Sequence, residues 1–161
     1  MVYQRKLEHL PGFAITGTEP AHLTVLVTVV GSRASELVPA IERLGGRAPV
    51  VSEGMVTAEL PEVLETIEFV LGAVEALPDR RGGVHMGKVT ANDDAVGGHP
   101  GRVTVALAGL AEPGETLITG GVIVEMGDGG FERFKTGSMG AADLDASSYA
   151  VYSIVRRPPP P

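Results

Sequence analysis

The chain has 161 residues, 43% of them hydrophobic and 20% charged, with a formal net charge of −7, no cysteine and no tryptophan. That size and balance suit one folded domain rather than a disordered chain. The missing cysteines exclude disulfides, thiolate chemistry and cysteine-based zinc sites. The acidic balance argues against a nucleic-acid partner, because phosphate backbones are held by basic surfaces. No stretch reaches the roughly 18–20 apolar residues of a membrane span, and the N-terminus carries no apolar leader. The expectation is a soluble cytoplasmic protein.

Residues 1–21 read as an N-terminal extension broken by Pro11, Gly12, Gly17 and Pro20, with one short strand expected at 13–16. Residues 23–30 (LTVLVTVV) form the β-branched run of a buried central strand. Ser32 is the expected N-cap of a helix through Leu44, with Pro39 inside it and Gly45-Gly46 after it. Short strands are expected at 48–51 and 55–60 around a tight Ser52-Glu53-Gly54 turn.

The best-marked helix follows at 61–77. Val63, Leu64, Ile67, Val70, Leu71 and Val74 recur at helical spacing, with Glu62, Glu65, Glu68 and Glu75 mainly on the other face. A strand is expected at 83–90, a polar loop at 91–98 and a helix at 100–111. A short strand at 116–118, a small helix at 121–126, and strands near 131–135 and 149–155 complete the domain. The order βαββαβ then αβαββ describes a ferredoxin-like core with a C-terminal appendage, an α+β fold. The domain is expected to span 22–156, with 157–161 a proline-rich tail that is extended and solvated.

From Gly83 onward the chain resembles the class III adenylyl and guanylyl cyclase catalytic domain. GVHMGKV matches a glycine-His-x-Gly strand, and GGHPGRVTVALAGLAEPGETLITGG matches a glycine, long-helix, Pro-Gly and strand sequence. FERFKTGSMG and YAVYSIV fit the closing hairpin, and LTVLVTVVGS and GGRAPVVSEGMVTAEL stand at the family's first strand and strand pair. The helical interval from Gly31 to Gly45 is much shorter than the family's.

The resemblance implies two metal-holding aspartates at Thr28 and Glu53, an Asn and an Arg at Arg102 and Ala106, and a base-selecting Lys and Asp at Pro49 and Ala95. Magnesium requires hard, preferably anionic oxygen ligands, and a threonine hydroxyl is a poor one. Glu53 keeps a carboxylate on a longer arm. Arg102 lies one helical turn from where the family's arginine projects. Losing one preorganised electrostatic group costs about 10²–10³ in rate, and several are altered together. The resemblance therefore implies a degenerate domain without catalysis. No residue is assigned a catalytic, metal-binding or cofactor-binding role, and no cofactor is expected.

Such a domain would act by binding: to itself, to another protein or to a nucleotide. Two alternatives stay open. One is a divergent active cyclase using Glu53, Asp93 or Asp94, and Arg102. The other is a ferredoxin-like sensing or interaction domain unrelated to cyclases. Read as ordinary residues, His85 is a hydrogen-bonded structural histidine, Asp93-Asp94 a solvated loop, and Gly127-Asp128-Gly129-Gly130 a turn. The Gly97-Gly98-His99-Pro100-Gly101 helix start is a candidate anion site, and the glutamate face of 61–77 is a solvated surface or a dock for a basic partner.

Overall fold

The computed structural model describes residues 22–90 and 94–159. Seven strands form one sheet: β1 (His22–Val30), β2 (Arg47–Ser52), β3 (Met55–Leu60), β4 (Arg81–Val89), β5 (Thr116–Thr119), β6 (Phe134–Leu144) and β7 (Ser147–Arg156). Four helices accompany them: α1 (Val38–Arg43), α2 (Val63–Ala76), α3 (His99–Leu110) and α4 (Gly120–Arg133). The strand order is β2-β3-β1-β4-β5-β7-β6, antiparallel except for β4 with β5. The first four strands have ferredoxin-like order, and the appendage extends the same sheet. The strand expected at 13–16 lies outside the described residues.

Alternation along β1 explains the layers. Val25, Val27 and Val29 face the main core with Ile41 of α1, Ile67, Val70 and Val74 of α2, and Val122 and Met126 of α4. The opposite face of the sheet is covered by α3. Contact there is close because β4 carries glycine: a Cβ at Gly83 would sit 2.8 Å from the Ala108 amide nitrogen and 3.0 Å from the Thr104 carbonyl. The family-like glycine thus lets α3 rest on the backbone of β4.

Several expected elements differ. Ser32 caps no helix. Its amide and hydroxyl both donate to Asp79 Oδ2 (2.9 and 2.6 Å), Arg33 is left-handed (φ 59°), and only a 3-10 turn (Ala34–Leu37) and the six residues of α1 follow. The helix expected at 121–126 continues to Arg133, and Gly127 (φ 58°, ψ −161°) kinks it, so Gly127–Gly130 is not a free turn. The strand expected near 131–135 begins at Phe134 and runs for 11 residues. Pro158 and Pro159 are exposed and outside regular structure.

Candidate functional site

A side-chain network gathers where α3 starts, under the far end of the β6–β7 hairpin. The hairpin closes through Asp145 (φ 50°) and Ala146 (φ 69°), a two-residue turn with both residues in the left-handed region. Alanine is poorly suited to that region, yet the turn sets the Asp145 carboxylate against α3. Asp145 Oδ2 accepts from His99 Nδ1 (2.6 Å) and from Arg102 Nε (3.1 Å). Arg102 Nη1 also donates to the Gly97 carbonyl (3.2 Å).

An ionised carboxylate only accepts, so Asp145 places a proton on His99 Nδ1. In the neutral ring His99 Nε2 then accepts from the Tyr149 hydroxyl (3.0 Å). Tyr149 packs edge-on against His85, ring centroids 5.1 Å apart. His85 is 6% exposed, and its Nδ1 is bonded to Thr119 Oγ1 (2.8 Å). Burial, with a smaller contribution from the charge of His99, pushes the His85 pKa down to about 4, so the ring is neutral at physiological pH.

His85, His99 and Tyr149 line a cleft of about 710 Å³ bounded by Met86–Val89 of β4, the 94–98 loop and Pro100. Asp94 sits in its wall, Oδ1 accepting from the Gly97 amide (2.9 Å). The candidate anion site at this helix start is largely satisfied from within. The Gly98 amide donates to the Asp94 carbonyl (2.8 Å), Gly101 to Ala95 (2.9 Å), Arg102 to Gly98 (3.1 Å), and Pro100 has no N–H. Only the His99 amide among these first donors has no such partner, and the Asp94 carboxylate beside it opposes an anion.

Asp145 is held below the usual carboxylate range, first by the His99 hydrogen bond and then by Arg102. A depressed carboxyl stabilises the fold fully above its unfolded pKa, and that contribution disappears as pH falls through the folded pKa. Asp145→Asn is therefore expected to lower the melting temperature at neutral pH, and the difference from wild type should close as the pH drops below 3.8, the unperturbed value. Thermal melts of both proteins across that range check it.

The positions named by the resemblance do not assemble a metal site. Thr28 has no exposed surface and its hydroxyl is bonded to Thr57 Oγ1 (2.8 Å). It pairs across the sheet with Gly83, on the face that α3 covers. Glu53 is exposed in the β2–β3 turn, four residues before Thr57 and on the order of 10 Å along the hairpin from it. The neighbour of that turn is Gly31, whose amide donates to the Gly54 carbonyl (2.8 Å). Val29, Val30, Gly31 and Ser32 supply no carboxylate, and the Asp79 carboxylate is taken by Ser32. A pair of divalent cations does not fit these residues.

The alternative set does not converge either. Glu53 lies beyond the Val30–Met55 end of β1, whereas the loop and helix carrying Asp94 and Arg102 begin near Gly87, which pairs with Thr24. From Val30 to Thr24 the strand spans about 20 Å. Arg102 is paired with Asp145. Asp93 lies outside the described residues. Pro49 sits in edge strand β2, Ala95 is buried with Leu26, Val89 and Val96, and Ala106 packs against Val103 and Leu107 of its own helix and their neighbours. Among the described residues no three His, Asp or Glu side chains group as metal ligands, and no helix is long and apolar enough to cross a membrane.

His85 was legible as a buried histidine. His99, Asp145 and Tyr149 were not, because their contacts span 46 and 50 residues. The available signals were the histidine directly after Gly97-Gly98 and the Asp145-Ala146 pair between two alternating runs.

No protein-family model matches the chain, and no curated protein matches it in sequence. Solved structures do. The catalytic core of a rhodopsin-guanylyl cyclase with converted specificity, in complex with ATPαS, superposes with a TM-score of 0.65 at 11% identity, over 88% of this chain and 99% of that one. An adenylate cyclase from Trypanosoma brucei in its monomeric state gives a TM-score of 0.66 at 10% identity, covering 86% and 93%. An adenylate/guanylate cyclase/hydrolase from Silicibacter pomeroyi gives 0.62 at 18%, covering 84% and 97%. At such identities the likeness concerns the fold, and it extends over nearly the whole of each compared domain. The chain has the fold of the class III adenylyl and guanylyl cyclase catalytic domain.

Proposed function

We propose that this chain is a cyclase-fold domain that does not close cyclic nucleotides and acts instead as a binding module, for itself, for a partner protein or for a nucleotide it leaves unchanged. The observation that carries this reading is the end of β1. A family-like site needs two carboxylates there, and the sequence offers a threonine sealed beneath α3 and one solvated glutamate on the next hairpin. Arg102, the one guanidinium near the matching helix positions, is committed to Asp145. The similar rhodopsin-guanylyl cyclase core was solved with ATPαS, a precedent that supports a nucleotide as one ligand class to test. The cleft beside His85 leaves room for a ligand here without requiring metal-assisted chemistry.

Calorimetric titration of ATP, GTP, cyclic AMP and cyclic GMP, with light scattering on the same sample, tests the reading. The expected result is that neither triphosphate binds more tightly with Mg²⁺ than with EDTA. Mg²⁺-dependent binding that disappears in Glu53→Ala would contradict it. The scattering mass separates a self-associating module from a monomer awaiting another partner.

A further inference from the structure

β5 is the shortest strand of the sheet, and it stops before its neighbours do. It pairs with residues 82–84 of β4 and with residues 151–153 of β7, and after Thr119 the chain turns into α4. β4 runs on to Val89, and β7 starts back at Ser147. Two strand edges therefore face each other across the place a longer β5 would take. Neighbouring strands lie about 4.8 Å apart, so this slot between β4 and β7 is about 10 Å across, the width of one added strand.

Both edges present backbone groups to it. The Gly82 amide donates to the Glu115 carbonyl, so alternation along β4 turns the amides and carbonyls of Met86 and Lys88 toward the slot. The two-residue turn at Asp145-Ala146 makes Leu144 and Ser147 the closing pair of the β6–β7 hairpin. The amides and carbonyls of Ser148 and Ala150 then face the slot from the other side. Among the described residues no strand pairs with either stretch there. Such edges recruit an extended segment through main-chain hydrogen bonds.

We propose that this slot is filled by the chain's own Phe13-Ala14-Ile15-Thr16, docking as an added strand. These four lie outside the described residues, and the point where the described chain begins selects them. His22 pairs with Val89, at the open end of the slot. To enter the slot from there the N-terminal segment has only to pass β4, about 10 Å. The linking residues 17–21 reach up to about 17 Å. The segment is bounded by Pro11-Gly12 and by Gly17, and its length equals that of the 86–89 stretch bordering the cleft.

Its side chains suit the two faces. Alternation puts Phe13 and Ile15 on one side and Ala14 and Thr16 on the other. The α3 side opens into the cleft of about 710 Å³ walled by His85, Val89, Ala95, Pro100 and Tyr149, which has room for two large apolar groups. The α4 side is tight. A Cβ at Gly121 would lie 3.3 Å from Met86 Cβ, and one at Gly120 would lie 3.7 Å from Ala150 Cβ, so small side chains belong there. This inference goes beyond the binding reading and does not depend on it. It makes residues 13–16 the group that any ligand of the cleft must displace.

Amide hydrogen exchange followed by NMR on the full chain tests the proposal. The Met86 and Lys88 amides are expected to exchange on the order of a hundredfold more slowly than in Ile15→Asp, whose charge would face the apolar cleft. The Gly87 amide, turned toward β1, should be equally slow in both proteins and reports an intact fold. Leu7→Asp, outside the added strand, should leave all three unchanged. A synthetic peptide of residues 10–19, in excess over the Ile15→Asp protein, should restore slow exchange at Met86 and Lys88; the same peptide with Ile15→Asp should not. The proposal is overturned if Met86 and Lys88 exchange at unprotected rates in the full chain, if Ile15→Asp leaves them slow, if Leu7→Asp releases them equally, or if the two peptides act alike. Protection that rises with protein concentration alongside a dimer in light scattering would overturn it too, by assigning the slot to a second copy. Cyclic-nucleotide formation by the same sample would sink the reading of an inactive domain and leave the exchange result standing.

Discussion

Replacing Arg80 with methionine is expected to lower the stability of the fold by about 3 kcal/mol. Arg80 is 4% exposed, and its guanidinium makes no ion pair among the described residues. Its Nε donates to the Ser32 carbonyl (3.0 Å), Nη1 to Ala73 (2.9 Å) and Nη2 to Arg33 (3.1 Å). These three acceptors lie on different segments. Ala73 is in the last turn of α2, where carbonyls have lost their helical partners and a cation is favoured by the helix dipole. Ser32 and Arg33 form the sharp exit from β1, where Gly31 has φ 139° and a Cβ would approach the Arg80 Cα to 2.8 Å. Arg80 therefore binds the shortened connector to the end of α2. Methionine keeps much of the stem but leaves the carbonyls without donors. For a chain of this length that corresponds to a fall of roughly 6–12 °C in Tm. Arg47→Met is the control, because Arg47 is 72% exposed and only 3.6 Å from Glu59; it should shift stability by less than about 0.5 kcal/mol. Equal shifts for the two variants would remove the buried-staple explanation.

The second large effect is in pH. His85 falls from an ordinary 6.5 to about 4 because its ring is buried between β4, Thr119 and Tyr149. A histidine with a depressed folded pKa is neutral in the fold and protonated sooner in the unfolded chain. Its contribution is complete above 6.5 and is lost progressively as pH falls from there to about 4. At about 1.4 kcal/mol per pH unit the loss approaches 3 kcal/mol. Denaturant unfolding between pH 7 and 4 should show this decline in wild type and a much flatter profile in His85→Gln. An NMR titration of the His85 ring with a midpoint near 6.5 would refute the burial account.

How much of this could be read from residues alone follows from where the forces act. The runs 23–30 and 63–74 were legible because burial on one sheet or one helix face imposes a period on neighbouring positions, and β1 and α2 appear where that period runs. The connector misled because its shape is set by Asp79 and Arg80, 47 to 48 residues away, rather than by the local Ser32 and Pro39 signals. β6 was cut short because residues 135–143 are largely exposed on both faces and carry no alternation. In α4, Gly127 alone leaves helical geometry, which no composition rule distinguishes from a turn.

The same division applies to the site. Family-like residues around Gly83 marked the fold, since Gly83 is what admits α3 to the sheet. The resemblance placed Thr28 and Glu53 as a pair, but strand register separates them: Thr28 meets Thr57, while the turn of Glu53 meets Gly31. The His99–Asp145–Tyr149 network depends on a hairpin turn reaching back to a helix, a contact set by tertiary folding.

The most direct test of the central claim is a cyclase assay on the full chain, with ATP and with GTP, in Mg²⁺ and in Mn²⁺. A domain whose β1 end presents a sealed hydroxyl instead of an anionic anchor should form cyclic nucleotide no faster than buffer does. Turnover above that background, lost on replacing Glu53 by alanine, would show that the chain assembles a working metal site after all.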